Sequence, residues 1–391
     1  MDERVIKMVN EARWMDGLDV RTRLDDITYN PMRSQEEFVI RMMRENAKTV
    51  YGRKNGFKTI RNMDDFRNSL PLTTYDDYLP YIERIANGER NILTAYLTEH
   101  ISTMDGDGEG RLLPQSRWSV QTSYDYSFSA GFYIAGQQGL LTDGMTLNLV
   151  DNCIEHLTSG MTMGNLFGRH LNKREFNNAE VYVIPLGIED DYLRALYALS
   201  QKHISLALCD HYEKMVRLLR YIEKNWPRLV EEIENGNTYV QSNPERANVI
   251  REIMETHNIG TRMVEQLWPG LRCIMVHDVD RLSASFELLR TYCGSNVHFV
   301  FTGIHSPEGT FSTTLNLDDP QTVLIPDSAF YEFNPKESQG YSQLLTLDQL
   351  EIGRSYELVV TTFAGLYRYR TQKTLLVVGR YHDTPTVIIE R

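Results

Sequence analysis

Through its second half the chain alternates helix-period patterns with short runs of β-branched and aromatic residues, and no other feature restricts its fold as strongly. Residues 193–235 carry two long helical patterns, the second built on Met215, Leu218, Leu219, Ile222 and Trp226. Residues 297–302 and 356–363 read as strands. Elements alternating in this way pack as sheets flanked by helices. The expected fold class is α/β, with layered mixed sheets and helices.

The first half is helical by pattern. Residues 35–51 set Phe38, Met42, Met43 and Ala47 at helix spacing and stop at Gly52. Asp64 and Asp65 ahead of Phe66 open a short helix that Leu70-Pro71-Leu72 ends. Residues 76–86 form a third helix, closed by Asn87-Gly88, and residues 105–110 a glycine-rich loop. No internal repeat, low-complexity tract or Pro/Ser-rich linker interrupts the sequence. All 391 residues therefore read as one compact body with subdomains.

A formal charge of −12 with no basic tract argues against a nucleic-acid partner. No apolar run reaches the ~18 residues of a membrane span. The charged N-terminus, Met1-Asp2-Glu3-Arg4, lacks the apolar stretch of a signal peptide. Cys153, Cys209, Cys273 and Cys293 are widely spaced, so they are expected to be small buried apolar residues in a reducing, cytoplasmic setting, with no structural metal.

Several local constellations suggest chemistry. His277-Asp278-Val279-Asp280 has metal-ligand residue types, but strand alternation would split them between two faces. Cys209, Asp210 and His211 with His203 could supply a Cys-His pair, against which stands ordinary core packing. Tyr124, Tyr126, Phe128 and Phe132 form an aromatic stripe, which reads as core or as the wall of a pocket. His156 and His170 flank the Gly/Met-rich residues 159–164 and, with His305, are the candidates for general acid or base.

Longer words in the sequence are more specific. In order come Asn46-Ala47-Lys48-Thr49-Val50-Tyr51-Gly52-Arg53, Asp64-Asp65-Phe66, Pro71-Leu72-Thr73-Thr74-Tyr75, and Tyr81-Ile82-Glu83-Arg84-Ile85-Ala86-Asn87-Gly88-Glu89. Further on stand Leu267-Trp268-Pro269-Gly270, a strand across residues 323–335, and residues 361–370, Thr-Thr-Phe-Ala-Gly-Leu-Tyr-Arg-Tyr-Arg. This series resembles the Gretchen Hagen family, the auxin-responsive acyl-acid amido synthetases of the adenylate-forming, luciferase-like superfamily. The resemblance spans nearly the whole chain and implies the large N-terminal core of such an enzyme. It also implies that the C-terminal lid domain is absent.

The same resemblance implies three nucleotide motifs, each altered. The phosphate loop falls at residues 102–114, where Gly108, Arg111 and Pro114 match, but Asp105 and Asp107 stand where hydroxyl and glycine residues would hold phosphate. The second motif falls at residues 303–309. Glu308 matches the metal-holding carboxylate, Ile304 replaces an aromatic neighbour of adenine, and Pro307 follows Ser306 in place of a serine. In the third, the ribose-binding Asp is replaced by Lys373, and an ammonium cannot accept hydrogen bonds from ribose hydroxyls.

Three functions fit this pattern. The leading one is a repurposed enzyme of small-molecule metabolism that keeps an acyl or carboxylate pocket, acts without ATP and needs no cofactor. The second is an ATP- and Mg²⁺-dependent acyl-acid amido synthetase with unusual motifs, aided by a partner protein supplying the lid. The third is a non-catalytic pseudoenzyme that binds a metabolite or partner. The expected ligand is a small carboxylic acid or acyl compound. Tyr124, Phe128, Arg111, Tyr367 and Arg370 are the expected binding residues, with a guanidinium of Arg111 or Arg370 as carboxylate anchor. His305, Glu308 and His156 are the expected catalytic groups.

Overall fold

The computed structural model describes residues 3–103, 111–172, 181–256, 261–277, 284–341 and 343–390. As the alternation implies, the fold is α/β, with a parallel sheet, a large antiparallel sheet and a smaller mixed one packed with helices. The parallel sheet contains β3 (Met145–Asn148), β6 (Ile204–Cys209), β7 (Cys273–Val276) and β8 (His298–Phe301), in that order. All of β3, β6 and β7 is buried, as expected of strands covered on both faces. Parallel neighbours require crossovers, and helices Asp191–Ser200, Tyr212–Asn235 and Ala284–Cys293 supply them.

A larger antiparallel sheet has the order β11 (Ser312–Thr314), β12 (Thr322–Leu324), β16 (Thr384–Glu390), β15 (Tyr369–Tyr381), β14 (Ser355–Thr362), β13 (Ala329–Pro335). A third sheet joins β2 (Leu112–Ser116), β1 (Thr98–Thr103), β5 (Thr162–Gly164) and β4 (Ile154–His156). A short hairpin of β9 (His305–Ser306) and β10 (Gly309–Thr310) leads from the parallel sheet to the large antiparallel one.

Four expectations change. The two helical patterns across residues 193–235 are separated by β6, a fully buried strand whose six residues are too few to break the helical appearance of a long window. Residues 323–335 hold two strands, β12 and β13, which lie on opposite sides of the same sheet. Cys153 is exposed, whereas Cys209, Cys273 and Cys293 are buried. The aromatic stripe is also divided. Helices Arg117–Tyr124 and Ala130–Gln137 are joined by a π-helical turn, Asp125–Ser129. This turn directs Tyr126 toward Arg23 and Asp327, while Phe128 and Phe132 pack beneath the parallel sheet. Among the described residues no helix is long and apolar enough to cross a membrane.

The turn between β14 and β15 is tied to the N-terminal helices by a buried ion cluster. The Arg368 guanidinium donates to both oxygens of Glu332 at 2.8 Å, and Arg67 Nε adds a donor at 3.1 Å. Glu332 is only 1% exposed, so its charge depends on these partners. Arg368 Nη1 also donates to the carbonyls of Arg67 and Leu70, closing the end of helix Met63–Ser69 onto the sheet. Removing one member of such a group leaves charge buried without compensation. Glu332→Gln is expected to destabilise the protein by about 3–5 kcal/mol. Urea unfolding followed by far-UV circular dichroism checks this; a midpoint equal to the parent's would refute the clamp.

Candidate functional site

Ligands of open parallel sheets bind beyond the carboxyl ends of the strands, where the chain leaves the sheet and exposes side chains and backbone. In this protein those ends present Asp210 and His211 after β6, His277 after β7, and Thr302 and Gly303 after β8. A cavity of about 330 Å³ opens there. Ser102 and Thr103 close it from the end of β1, Ser123 from a helix, Asn165 and Phe167 from the loop and helix after β5, and Lys373 and Ile389 from the antiparallel sheet.

The turn that carries the chain from β8 into the β9–β10 hairpin requires glycine. Gly303 has φ +121°, and a Cβ there would lie 2.1 Å from the Ser312 carbonyl oxygen. The hairpin then delivers Ile304, His305, Ser306 and Pro307 to the cavity and leaves Glu308 buried behind it.

The histidines here are held by neighbours. The His305 ring nitrogen Nε2 lies 3.0 Å from the Thr302 carbonyl, which only accepts, so Nε2 carries the proton. Nδ1, 3.3 Å from the Thr310 hydroxyl, then accepts. Burial pushes His305 down to about 4, opposed in part by the bond to Thr302. His277 stacks on Phe167 with centroids 3.6 Å apart and has Nδ1 2.6 Å from the Thr302 hydroxyl. Burial first, then the neighbouring rings of His305, His170 and His211, hold it well below the usual histidine range. Both imidazoles are therefore neutral at pH 7. They are weak bases, better suited to hydrogen bonding than to proton transfer.

Lys373 is the one lysine or arginine lining the cavity among the described residues. Its ammonium lies 3.6 Å from Glu308 Oε2 and makes no hydrogen bond among the described residues. The direction of Lys373 is set by a bulge. Glu357 pairs with Thr374 and Val359 with Arg370, so residues 371–373 stand opposite Leu358 alone. Gln372 takes up the extra length with φ +60°.

The structure brings together His305, Ile304, Ser306, Pro307 and Lys373, with Glu308 directly behind. The remaining expected site residues stand elsewhere. His156 is exposed on β4 and lines a different cavity, of about 870 Å³, together with Cys153 and Arg169. Residues 162–164 also border that second cavity. Neither proposed guanidinium anchor lines the smaller one. Arg111 stacks over Tyr75 at 5.3 Å, and Arg370 sits 4.0 Å from the Tyr341 ring centroid and 3.5 Å from Glu357. Tyr367 is fully buried, stacks on Tyr51 and donates to the Leu93 carbonyl. Tyr124 packs against His170, and Phe128 is fully buried under His277, so both support the site without lining it. Asp105, Asp107 and Gly108, and Asp278 to Asp280 of the metal constellation, lie outside the described residues. Among the described residues no cluster of His, Cys, Asp and Glu could hold a metal ion. The Cys-His pairing fails because Cys209 is fully buried and its thiol is pushed up by that burial.

Ser102, Asn165, Phe167 and His277 belong to the site but were not singled out for it. The readable signal for His277 is its position immediately after a short run of buried apolar residues. Using that signal requires knowing that β7 is a parallel strand.

His305 also fixes a pH dependence. The unfolded chain takes up a proton at this histidine near pH 6.5, whereas the folded protein does so only near 4. The stabilisation is fully present above about pH 6.5 and is lost as pH falls toward 4. Between pH 7 and pH 5, His305→Gln is expected to lose about 2 kcal/mol less stability than the parent. Urea midpoints at both pH values test this, and equal losses in the two proteins would refute it.

The model of the GH3 family N-terminal domain matches residues 20–298, and that of the GH3 family central domain matches residues 322–391. A putative indole-3-acetic acid-amido synthetase, GH3.10 of Oryza sativa subsp. japonica, is 29% identical over 386 residues, covering 93% of this chain and 78% of that protein. The 4-substituted benzoates-glutamate ligase GH3.12 of Arabidopsis thaliana is 24% identical over 405 residues, covering 93% of this chain and 69% of that protein. Among solved structures, the AtGH3.15 acyl acid amido synthetase in complex with 2,4-DB shares the fold with a TM-score of 0.79. It is 21% identical, and the match covers 95% of this chain and 70% of that one.

Proposed function

Because the chain belongs to the GH3 family, we propose that it is an amido-synthetase-like protein that holds a small acyl compound in the 330 Å³ cavity and does not activate it with ATP. One observation carries this: Lys373 and Glu308 form an ion pair at the cavity wall. The family resemblance expects a metal-holding carboxylate at Glu308 and a ribose-holding carboxylate at position 373. Here one carboxylate is matched to an ammonium and the other is replaced by it.

Magnesium does not fit this arrangement. Mg²⁺ requires oxygen ligands at roughly 2.0–2.1 Å in octahedral geometry. The candidate oxygen, Glu308 Oε2, is buried and has an ammonium 3.6 Å away. Like charges about 4 Å apart near a protein surface repel by roughly 4 kcal/mol per unit pair, and a dication doubles this. Losing charge-assisted bonds to the ribose adds roughly 1.5–3 kcal/mol each. Mg-ATP is therefore expected to bind far more weakly than a ~10 μM dissociation constant, which corresponds to about −7 kcal/mol.

Family membership favours a second reading, an ATP-dependent amide ligase, since the relatives named above are amido synthetases and a ligase. Titration calorimetry with Mg-ATP separates the two. Binding at or tighter than ~10 μM, or pyrophosphate release with any acyl acid, supports the ligase. Lys373→Asp is expected to strengthen Mg-ATP binding at least tenfold if the ammonium is what excludes it. An unchanged affinity in this variant would remove Lys373 from the account.

A further inference from the structure

We propose that the cavity selects uncharged acyl compounds, amides or esters, over the free acids of the same skeleton. This rests on the reading of the cavity as an acyl site, and it follows from a balance of charges around it. Lys373 is neutralised by Glu308 at 3.6 Å. Asp210 also lines the cavity, but its carboxylate accepts from Lys214 at 2.6 Å. Lys214 also pairs with Asp151, and Asp151 with Arg194 at 3.4 Å. Two acids and two bases thus close this group, and one of each closes the other. Burial keeps His277 and His305 neutral. Among the described residues lining the cavity no lysine or arginine is left without a counter-charge, so a free carboxylate entering here would stand beside Glu308 and Asp210 without one. Such burial is costly unless a partner is supplied.

What the cavity does offer is unfilled hydrogen bonding. Ser102 Oγ and Ser306 Oγ are buried, belong to lining residues and have no hydrogen-bond partner among the described residues. Glu308 Oε2 is likewise without a hydrogen bond, since Lys373 lies just beyond bonding distance. Buried polar groups without partners are uncommon and expensive, at about 1–3 kcal/mol each. The Lys373 ammonium has three donors and spends none of them in a hydrogen bond among the described residues. A carbonyl oxygen accepting from Lys373 and a serine hydroxyl would use these donors without changing the charge, and an amide N–H would in addition supply a donor for Glu308 Oε2. Leu166, Phe167, Ile304 and Ile389 provide the apolar wall for the remainder of the ligand.

The test is calorimetric titration of the whole chain at pH 7.5, without nucleotide, using benzoic and hexanoic acids, each against its primary amide and methyl ester. An amide or ester binding at least tenfold more tightly than its acid is expected. Equal or tighter binding of the acids overturns the proposal, as does absence of binding by every member of both series. Glu308→Gln should reverse the preference, because it leaves the Lys373 ammonium without its counter-charge. An unchanged preference in a folded Glu308→Gln protein overturns it. If that variant does not fold, Lys373→Gln combined with Glu308→Gln keeps the cavity neutral. It should retain the amide preference while losing about tenfold in amide affinity; full affinity would show that Lys373 does not touch the ligand. Nucleotide is absent from these titrations, so tight Mg-ATP binding measured separately would sink the claim about adenylation and leave this one standing.

Discussion

The carboxylate of Glu332 holds the turn from which the site is built. It is buried on β13 and is met by the guanidinium groups of Arg368 and Arg67. A buried carboxylate with several charge-assisted donors has few geometries open to it, so it fixes what it touches. Arg368 sits at φ +50°, a conformation few non-glycine residues adopt, and the clamp holds it there. The adjoining Tyr367 and Tyr369 then bury themselves against Tyr51, Phe57 and Tyr78 of the N-terminal helical region. Thr73 continues the attachment through backbone bonds with Arg368 and Arg370. Lys373 follows a few residues later, so its placement at the cavity depends on that anchored turn.

The cavity lies where two kinds of sheet meet. The parallel sheet contributes the residues that follow its strands, and its hydrophobic surroundings keep His277 and His305 neutral. The antiparallel sheet contributes Lys373 through a bulge. Between them the β9–β10 hairpin places Ser306 in the cavity and Glu308 behind it, within reach of the ammonium. At this wall the ammonium of Lys373, carried by one sheet, stands 3.6 Å from the Glu308 carboxylate carried by the hairpin.

Much of the fold was legible because burial imposes periodicity on sequence. The residues of helix Tyr212–Asn235 and of β14 and β8 announce themselves by spacing and by β-branched content. The family-like words around Tyr51, Asp64 and Tyr367 proved to be one structural unit, the aromatic and ionic joint between helices and sheet. Strand β6 was hidden because a short, fully buried run gives too little alternation to separate it from its helical neighbours. Arg111, Arg370 and Tyr367 do not line the cavity, for a related reason. Proximity in a motif says nothing about which face of a strand or which side of a turn a residue occupies.

The sequence alone determined that the chain forms an α/β protein of this family, and it set a carboxylate at position 308 and an ammonium at position 373. These are matters of residue identity and local pattern. Only the tertiary structure decided that Lys373 and Glu308, distant in sequence, become an ion pair. The physical reason is the bulge at Gln372: one added stretch of backbone rotates the following side chain out of strand alternation, and whether it forms depends on pairing with β14. Nor could sequence foresee that His277 would be stacked and neutral while His156 stands in solvent, because burial is a property of the assembled fold and not of the residue.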